Sequence, residues 1–272
     1  MKIFAISDLH VNHPQNWAAL QDLTDRPDDW LIVAGDISER VSDVESSFAL
    51  LTERFEQVIW VPGNHDLWTL PNSTDPEKGH YKYSRLIKSC RKFGVISPED
   101  PYPVVGSGDQ QVRILPLFIL YDYSFRPANI ALDQVMNWAS EAGSGCSDEF
   151  LLHADPYPTR QDWCRARCEL TENRLAECND GTPSILVNHF PMVEEFAYAP
   201  LVPRFAPWCG SRETHDWHLR FNSKVVVTGH LHMPMTRYKD GVRFEDVSFG
   251  YPRQRPPDRH IDSYLREIWH FD

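Results

Sequence analysis

The chain has 272 residues, which at roughly 150 residues per domain allows one large domain or two small ones. Its 42% hydrophobic and 24% charged residues exclude disordered and fibrous classes, and no apolar run approaches the roughly 20 residues of a membrane span. The net charge of −12 repels phosphate backbones, so a nucleic-acid polymer is not expected as a partner; a small anionic substrate would need local positive charge, which bound divalent cations supply.

In chain order, the first ten residues carry one lysine and a short apolar run broken by Ser7 and Asp8. That run is too short for the apolar stretch of a secretory leader, so Ile3–Ile6 reads as a first strand and the cytoplasm as the expected compartment. Trp30–Ala34 and Val58–Val61 are further apolar runs, with helical spacing near Trp17–Leu23 and Val44–Phe55. Alternation of short continuous apolar strands with helices predicts a sheet buried on both faces. The segment from about Leu70 to Gly181 breaks this rhythm. It predicts helices at Tyr81–Phe93, Ile130–Ala142 and Arg160–Cys178 and a strand at Val112–Leu120, and reads as an elaboration of one domain covering residues 1–272. Strands return at Ile185–Val187, Val225–Val227 and Val242–Phe249, with Asp240-Gly241 as a hairpin turn. Ala199–Gly210 reads as a surface loop and Tyr251–Asp258 as extended. The six cysteines form no C-x-x-C pair and are expected as reduced thiols.

Metal-ligating side chains fall just past the apolar runs. Asp8 and His10 follow the first, Asp36 the second, and Asn64, His65 and Asp66 the third; His189 follows Ile185–Val187, and His230 and His232 follow Val225–Val227. Open α/β sheets bind ligands at the carboxyl ends of their strands, so five strands are expected to deliver these groups to one edge. In Asp8-x-His10 and His230-x-His232 an extended chain would point both side chains the same way. Carboxylate, imidazole and amide oxygen suit Mn, Fe, Zn or Co ions, and no thiolate stands among them. Seven candidates (Asp8, His10, Asp36, Asn64, His189, His230, His232) are too many for one open tetrahedral ion. A shared carboxylate would hold two ions about 3.5–4 Å apart, the spacing of two-metal phosphoester hydrolysis, in which a metal-bridging hydroxide attacks phosphorus. His65, flanked by ligands, is then free to donate a proton to the leaving group, while Asp66 orients a ligand or caps a helix.

Asp8-x-His10, Gly35-Asp36, Gly63-Asn64-His65-Asp66, Asn188-His189 and Gly229-His230-x-His232 together resemble the calcineurin-like metallophosphoesterase superfamily. The resemblance implies a four-layer α/β/β/α sandwich of two mixed sheets flanked by helices. It also implies one metal on Asp8, His10, Asp36 and His232, a second on Asp36, Asn64, His189 and His230, and His65 as the catalytic histidine. The GDxxDRG form of the family's protein phosphatases appears here as Gly35-Asp36-Ile37-Ser38-Glu39-Arg40, which weakens a Ser/Thr phosphatase reading. A narrower similarity rests on Trp208-Cys209-Gly210, Asp216-Trp217-His218, the stretch Asp240–Glu245 and Gly250-Tyr251-Pro252-Arg253. It is to bacterial members that remove phosphopantetheine from carrier proteins, and implies phosphodiester cleavage with a protein partner. Arg204, Arg212 and Arg253 follow site-bearing segments and are candidates to hold an anion; Trp208 and Phe205 are candidates to stack on an adenine or pack on a pantetheine arm. Surface solvation and core packing are the alternatives for these five. The rival class is a non-catalytic protein-binding scaffold on the same fold, whose ligand set would be depleted. A metallo-β-lactamase-like site would need a compact His-x-His-x-Asp-His run, which is absent.

Overall fold

The computed structural model describes residues 1–71, 73, 76–200, 202–256 and 258–271. Asn72, Thr74 and Asp75 of the expected elaboration, and Leu201 and Pro257 of the two expected loop segments, lie outside the described residues. In chain order the elements are β1 (Lys2–Ile6), α1 (Pro14–Gln21), β2 (Arg26–Val33), α2 (Val41–Arg54), β3 (Phe55–Trp60) and α3 (Asn64–Leu67). Next come α4 (Gly79–Phe93), β4 (Val104–Val105), β5 (Val112–Pro116), α5 (Val135–Ser140), α6 (Asp148–Leu151) and α7 (Arg160–Glu177). The chain continues with β6 (Ser184–Val187), α8 (Trp217–Arg220), β7 (Ser223–Thr228), β8 (Met235–Lys239), β9 (Val242–Asp246) and β10 (Arg266–His270).

Two mixed sheets result, in the orders β10-β1-β2-β3 and β4-β5-β6-β7-β9-β8. β1, β2 and β3 are parallel with β10 antiparallel at the edge; β5, β6, β7 and β9 are parallel with β4 and β8 antiparallel. The period-two alternation of the strands divides the core. Ile3, Ala5, Ile32, Ala34 and Ile59 meet Ile114, Ile185, Val187, Val225 and Val227 in one cluster between the sheets. Phe4, Ile6, Leu31, Val33, Val58, Trp60, Leu186 and Val226 face outward into the second cluster, with Phe48 and Leu51 of α2 and Trp163 of α7. Both faces of each sheet are therefore covered, as near-continuous apolar strands require. This is the four-layer sandwich that the motifs implied.

Segment 70–181 is woven into the sandwich: it supplies β4 and β5 of the second sheet and α4, which packs on α2. The strand expected over Val112–Leu120 stops at Pro116. Beyond it the Asn188 side chain takes over the pairing, accepting from Ile119 N at 3.0 Å and donating to Ile119 O at 3.2 Å. The helix expected at Ile130–Ala142 contracts to a 3-10 turn at Leu132–Gln134 and α5. α4 ends where Gly94 adopts φ +71°, and α7 starts where the Thr159 hydroxyl accepts from Asp162 N. Asp240 and Gly241, both with positive φ, make the β8–β9 hairpin turn. Tyr251–Asp258, expected as extended, contains a 3-10 turn at Pro252–Gln254. β10 was not foreseen, because its five residues, Arg-Glu-Ile-Trp-His, bury only Ile268 and show no apolar run.

The parallel registers place Ile6 beside Val33, Val33 beside Trp60, and Val187 beside Val227. The strand ends of each sheet are thereby level. The two sheets meet at that edge: Ser7 pairs with Ser248, and Gly250 N donates to Asp8 O at 3.0 Å. Among the described residues no helix is long and apolar enough to cross a membrane.

Candidate active site

All seven candidate ligands come together at this shared edge, in two groups. In the first, His232 Nε2 lies 3.1 Å from Asp8 Oδ1 and 3.1 Å from His10 Nε2, and His10 Nε2 lies 4.0 Å from Asp36 Oδ2. In the second, Asn64 Oδ1 lies 3.2 Å from His189 Nε2 and 3.1 Å from His230 Nδ1, and His189 Nε2 lies 3.4 Å from Asp36 Oδ2. Asp36 Oδ2 thus faces both groups, while its Oδ1 accepts from His65 N at 2.8 Å.

The backbone that delivers them is strained. Asp8, His10, Asp36, His230 and His232 all have φ between +42° and +72°. Such conformations cost about 1–3 kcal/mol each and persist where the surroundings over-determine them. This corrects the expectation from extended-chain geometry: both residues of Asp8-x-His10 and of His230-x-His232 converge because each sits in a left-handed turn past its strand. Two glycines allow the close approach. A Cβ on Gly63 would collide with the Asp36 carboxylate, and one on Gly229 with Ser7 Oγ and the Asp8 carboxylate.

A set of outer contacts fixes which atom each group presents. His189 Nδ1 donates to Ala34 O at 2.8 Å and His232 Nδ1 to Gln254 Oε1 at 2.7 Å, which turns both Nε2 atoms inward. Asn64 Nδ2 donates to Asp148 Oδ1 at 2.9 Å, so its Oδ1 faces the imidazoles. Asp66 caps backbone: its carboxylate accepts from Asp36 N and Gly63 N at 2.9 Å, Ile37 N at 2.8 Å and Ser38 N at 3.2 Å. Burial, then the Asp36 charge, lift that carboxyl to about 6. Asp66→Ala would leave four buried N–H groups dry, at about 1–3 kcal/mol for each that finds no water. The expected outcome is a fall of several degrees or more in the thermal midpoint, read by a calorimetric or spectroscopic melt, with metal content reduced as well.

The electrostatics ask for cations. Burial, then His65, drives His10 down to about 3, and burial with His189 does the same to His230, so both offer neutral nitrogens. Burial opposes a proton on His189 and His232, yet chiefly Asp36 and Asp8 outweigh it and lift them to about 10 and about 9. The two carboxylates therefore draw positive charge into a cavity where only nitrogen and oxygen lone pairs converge. The other ring nitrogens, His10 Nδ1 and His230 Nε2, are buried with no hydrogen-bond partner among the described residues. Hard or borderline divalent ions fit this donor set.

His65 stands beside both groups, with a ring nitrogen within 4.8 Å of ligand atoms of His10 and Asp36. Its Nδ1 donates to Glu39 Oε1 at 2.7 Å, since a carboxylate there can only accept. Its ring lies 3.6 Å from Trp68 and 4.6 Å from His10, and Tyr251 OH lies 3.4 Å from its Nε2. Burial pulls its pKa down, but Asp36 and Glu39 more than offset this and raise it, favouring the cation. The ring lines a groove of about 480 Å³ together with His13, Gln15, Glu39, Trp68, Tyr251 and Arg253.

The other expected substrate contacts are placed elsewhere. Arg204 pairs with Glu141 at 2.9 Å and donates to Trp138 O; Arg212 forks onto Glu194 at 2.7 and 2.9 Å. None of these partners is a ligand residue or lines the groove. Trp208 is 1% exposed, with its indole N–H on Glu149 at 2.7 Å, so its ring has no face open for stacking on a substrate. Phe205 lies between it and the site, its ring centroid 5.8 Å from that of His230. Arg253 does reach the groove, and among the described residues its guanidinium contacts only the Tyr251 ring, at 5.5 Å. Glu39, Trp68, Asp148, Tyr251 and Gln254 were missed as site residues. Two of them carried a signal: Glu39 keeps a carboxylate at the second acidic place of the GDxxDRG pattern, and Tyr251 lies in the Gly250-Tyr251-Pro252-Arg253 stretch of the narrower similarity.

The [acyl-carrier-protein] phosphodiesterase PptH of Mycobacterium tuberculosis is 46% identical over 271 residues, which is 98% of this chain and 82% of that protein. The crystal structure of phosphopantetheinyl hydrolase (PptH) from Mycobacterium tuberculosis superposes with a TM-score of 0.93 at 44% identity, over 98% of this chain and 95% of that one. The pattern of the calcineurin-like phosphoesterases matches residues 1–234. With two mixed sheets flanked by helices and clusters of metal-ligating side chains between them, the chain belongs to the calcineurin-like phosphoesterase family and is a phosphoester hydrolase.

Proposed function

We propose that the chain cleaves the phosphodiester joining phosphopantetheine to a carrier-protein serine. Asp8, His10, Asp36 and His232 would hold one metal and Asp36, Asn64, His189 and His230 a second, with Asp36 common to both sets. The observation that carries the reading is the open 480 Å³ groove with His65 in its wall, which leaves room for a leaving alcohol that is part of a folded protein. The relative's phosphodiesterase activity on acyl carrier protein supports the same substrate class.

Two Mn, Fe, Zn or Co ions bound there supply positive charge for the phosphoryl oxygens and activate water as a nucleophile near neutral pH. Water gives a proton to bulk solvent as its oxygen bonds to phosphorus and the bond from phosphorus to the serine oxygen breaks; that oxygen takes its proton from His65 Nε2, which solvent then reprotonates. Glu39 holds the opposite nitrogen, Nδ1, so the imidazole cannot turn away. Asn64 would offer its carbonyl oxygen to a cation, because Asp148 binds its amide N–H and leaves Oδ1 beside His189 and His230. The products are phosphopantetheine and the unmodified serine.

Holo carrier protein incubated with the chain and Mn²⁺ is expected to lose the mass of phosphopantetheine, and chelator is expected to stop the loss. Turnover of simple phosphoesters with no change in carrier mass would refute this substrate. Arg253, uncommitted at the groove rim, is placed to meet an anionic substrate or partner. Arg253→Ala is expected to raise KM for the carrier protein about 2–10-fold with kcat nearly unchanged, the scale of one solvent-exposed ionic contact. Steady-state kinetics at low and high salt check it, with the difference shrinking as salt rises.

A further inference from the structure

Lys82 of α4 is 1% exposed, far below the usual surface position of a lysine. Its Nζ donates to Glu39 O at 2.6 Å and to Trp68 O. Those two residues bracket His65: Glu39 Oε1 takes its Nδ1–H at 2.7 Å, and the Trp68 ring covers its face at 3.6 Å. Trp68 is tied at its other end too, since its Nε1 donates at 2.6 Å to Oδ1 of the fully buried Asp148 on α6. Lys82 and Asp148 both come from segment 70–181, and neither lines the groove.

Burying an amino group is costly unless its donors are satisfied. Here two of the acceptors are backbone carbonyls from the two loops that cradle one imidazole. A general acid must stand within hydrogen-bond reach of the leaving oxygen, and a displacement of about 1 Å can cost about 100-fold in rate. We propose that Lys82 is a positioning residue for His65: it ties the Glu39 and Trp68 loops together and, with Asp148 on the Trp68 indole, keeps Nε2 aimed at the leaving oxygen. This rests on the reading of His65 as the acid. It gives segment 70–181 a part in the chemistry as well as in the sheet.

The test is Lys82→Met, which keeps the stem and removes the amino group, assayed on two diesters. Holo carrier protein leaves as a serine alkoxide that needs a proton; bis(p-nitrophenyl) phosphate leaves as a stable phenolate that does not. The expected result is a fall in kcat of about 10–100-fold on the carrier protein and under about 3-fold on the aryl diester, with metal content unchanged. Lys82→Arg, which retains donors, is expected to recover part of the loss. Equal losses on both substrates, or no loss on either, overturn the proposal and leave Lys82 a packing residue. If Lys82→Met does not fold, Trp68→Phe keeps a ring on His65 and cuts the tie to Asp148; it should show the same selective loss, and the proposal fails if it does not. His65→Ala run in parallel separates the two ideas. A selective loss there with none in Lys82→Met sinks the positioning role alone, whereas an unselective loss there removes the acid assignment and the positioning role with it.

Discussion

Asp36→Ala should yield a chain with less than half the metal of the wild type and hydrolysis lowered by more than about 100-fold. That exceeds the penalty usual for losing an outer partner of a metal ligand, because this carboxylate serves both groups. Its Oδ2 lies 3.4 Å from His189 Nε2 and 4.0 Å from His10 Nε2, one imidazole from each group. Its Oδ1 also accepts from His65 N, so the substitution releases the backbone of His65 at the same time. Asp36→Asn separates these effects. The amide oxygen can keep the bond to His65 N while the charge that attracts the cations is gone, so metal loss should persist even where the fold is kept. Elemental analysis of the dialysed protein, followed by titration with Mn²⁺, reads the outcome. Cations that bind only the folded chain also raise its thermal midpoint, by about 2.7 kcal/mol of stability at a hundredfold excess over Kd, and that increment should shrink in both variants. A fully loaded and active Asp36→Ala protein would falsify the shared-carboxylate assignment.

The positions of the candidate ligands are legible because two regularities coincide at each of them. A short apolar run ends, and a residue with a lone pair follows within a few places. Asp8, Asp36, Asn64, His189 and His230 all obey that rule, and level strand registers turn it into convergence in space. The reason offered for the paired residues was wrong. Asp8 and His10 converge through left-handed turns, which aspartate and histidine adopt more readily than most side chains but which no periodicity in the sequence announces. The outer contacts were hidden for a different reason. Asp148 lies 84 residues from Asn64, and Lys82 lies 43 residues from Glu39, so each depends on how segment 70–181 packs. Gln254 and Tyr251 sit in a stretch rich in proline and arginine that reads as an extended surface run. Its compact 3-10 turn brings Gln254 to His232 and the Tyr251 ring to 4.4 Å from His10. The arginines went astray because charge alone does not reveal commitment: Arg204 and Arg212 spend theirs on Glu141 and Glu194.

His65→Ala should lower kcat on the carrier-protein diester by about 10²–10⁴-fold, the usual worth of a positioned acid or base, while metal content stays near wild type. Metal retention is expected because the ligand atoms of both groups come from other residues, and the His65 contact with Asp36 is made by the backbone N–H, which alanine keeps. The loss should fall mainly on substrates with poor leaving groups. Glu39→Gln probes the same step more gently. The amide oxygen can still accept from Nδ1, so the ring stays in place, but the carboxylate that helps raise the His65 pKa is gone. Its kcat should drop less than that of His65→Ala and in the same substrate-selective way. The two variants together distinguish a proton donor from a phosphate ligand. A histidine that only bound the phosphoryl group would weaken all substrates alike, with KM rising in His65→Ala, and Glu39→Gln would then show no preference between alkyl and aryl esters. Selectivity for the poor leaving group in both variants is the signature that only proton delivery to the departing oxygen produces.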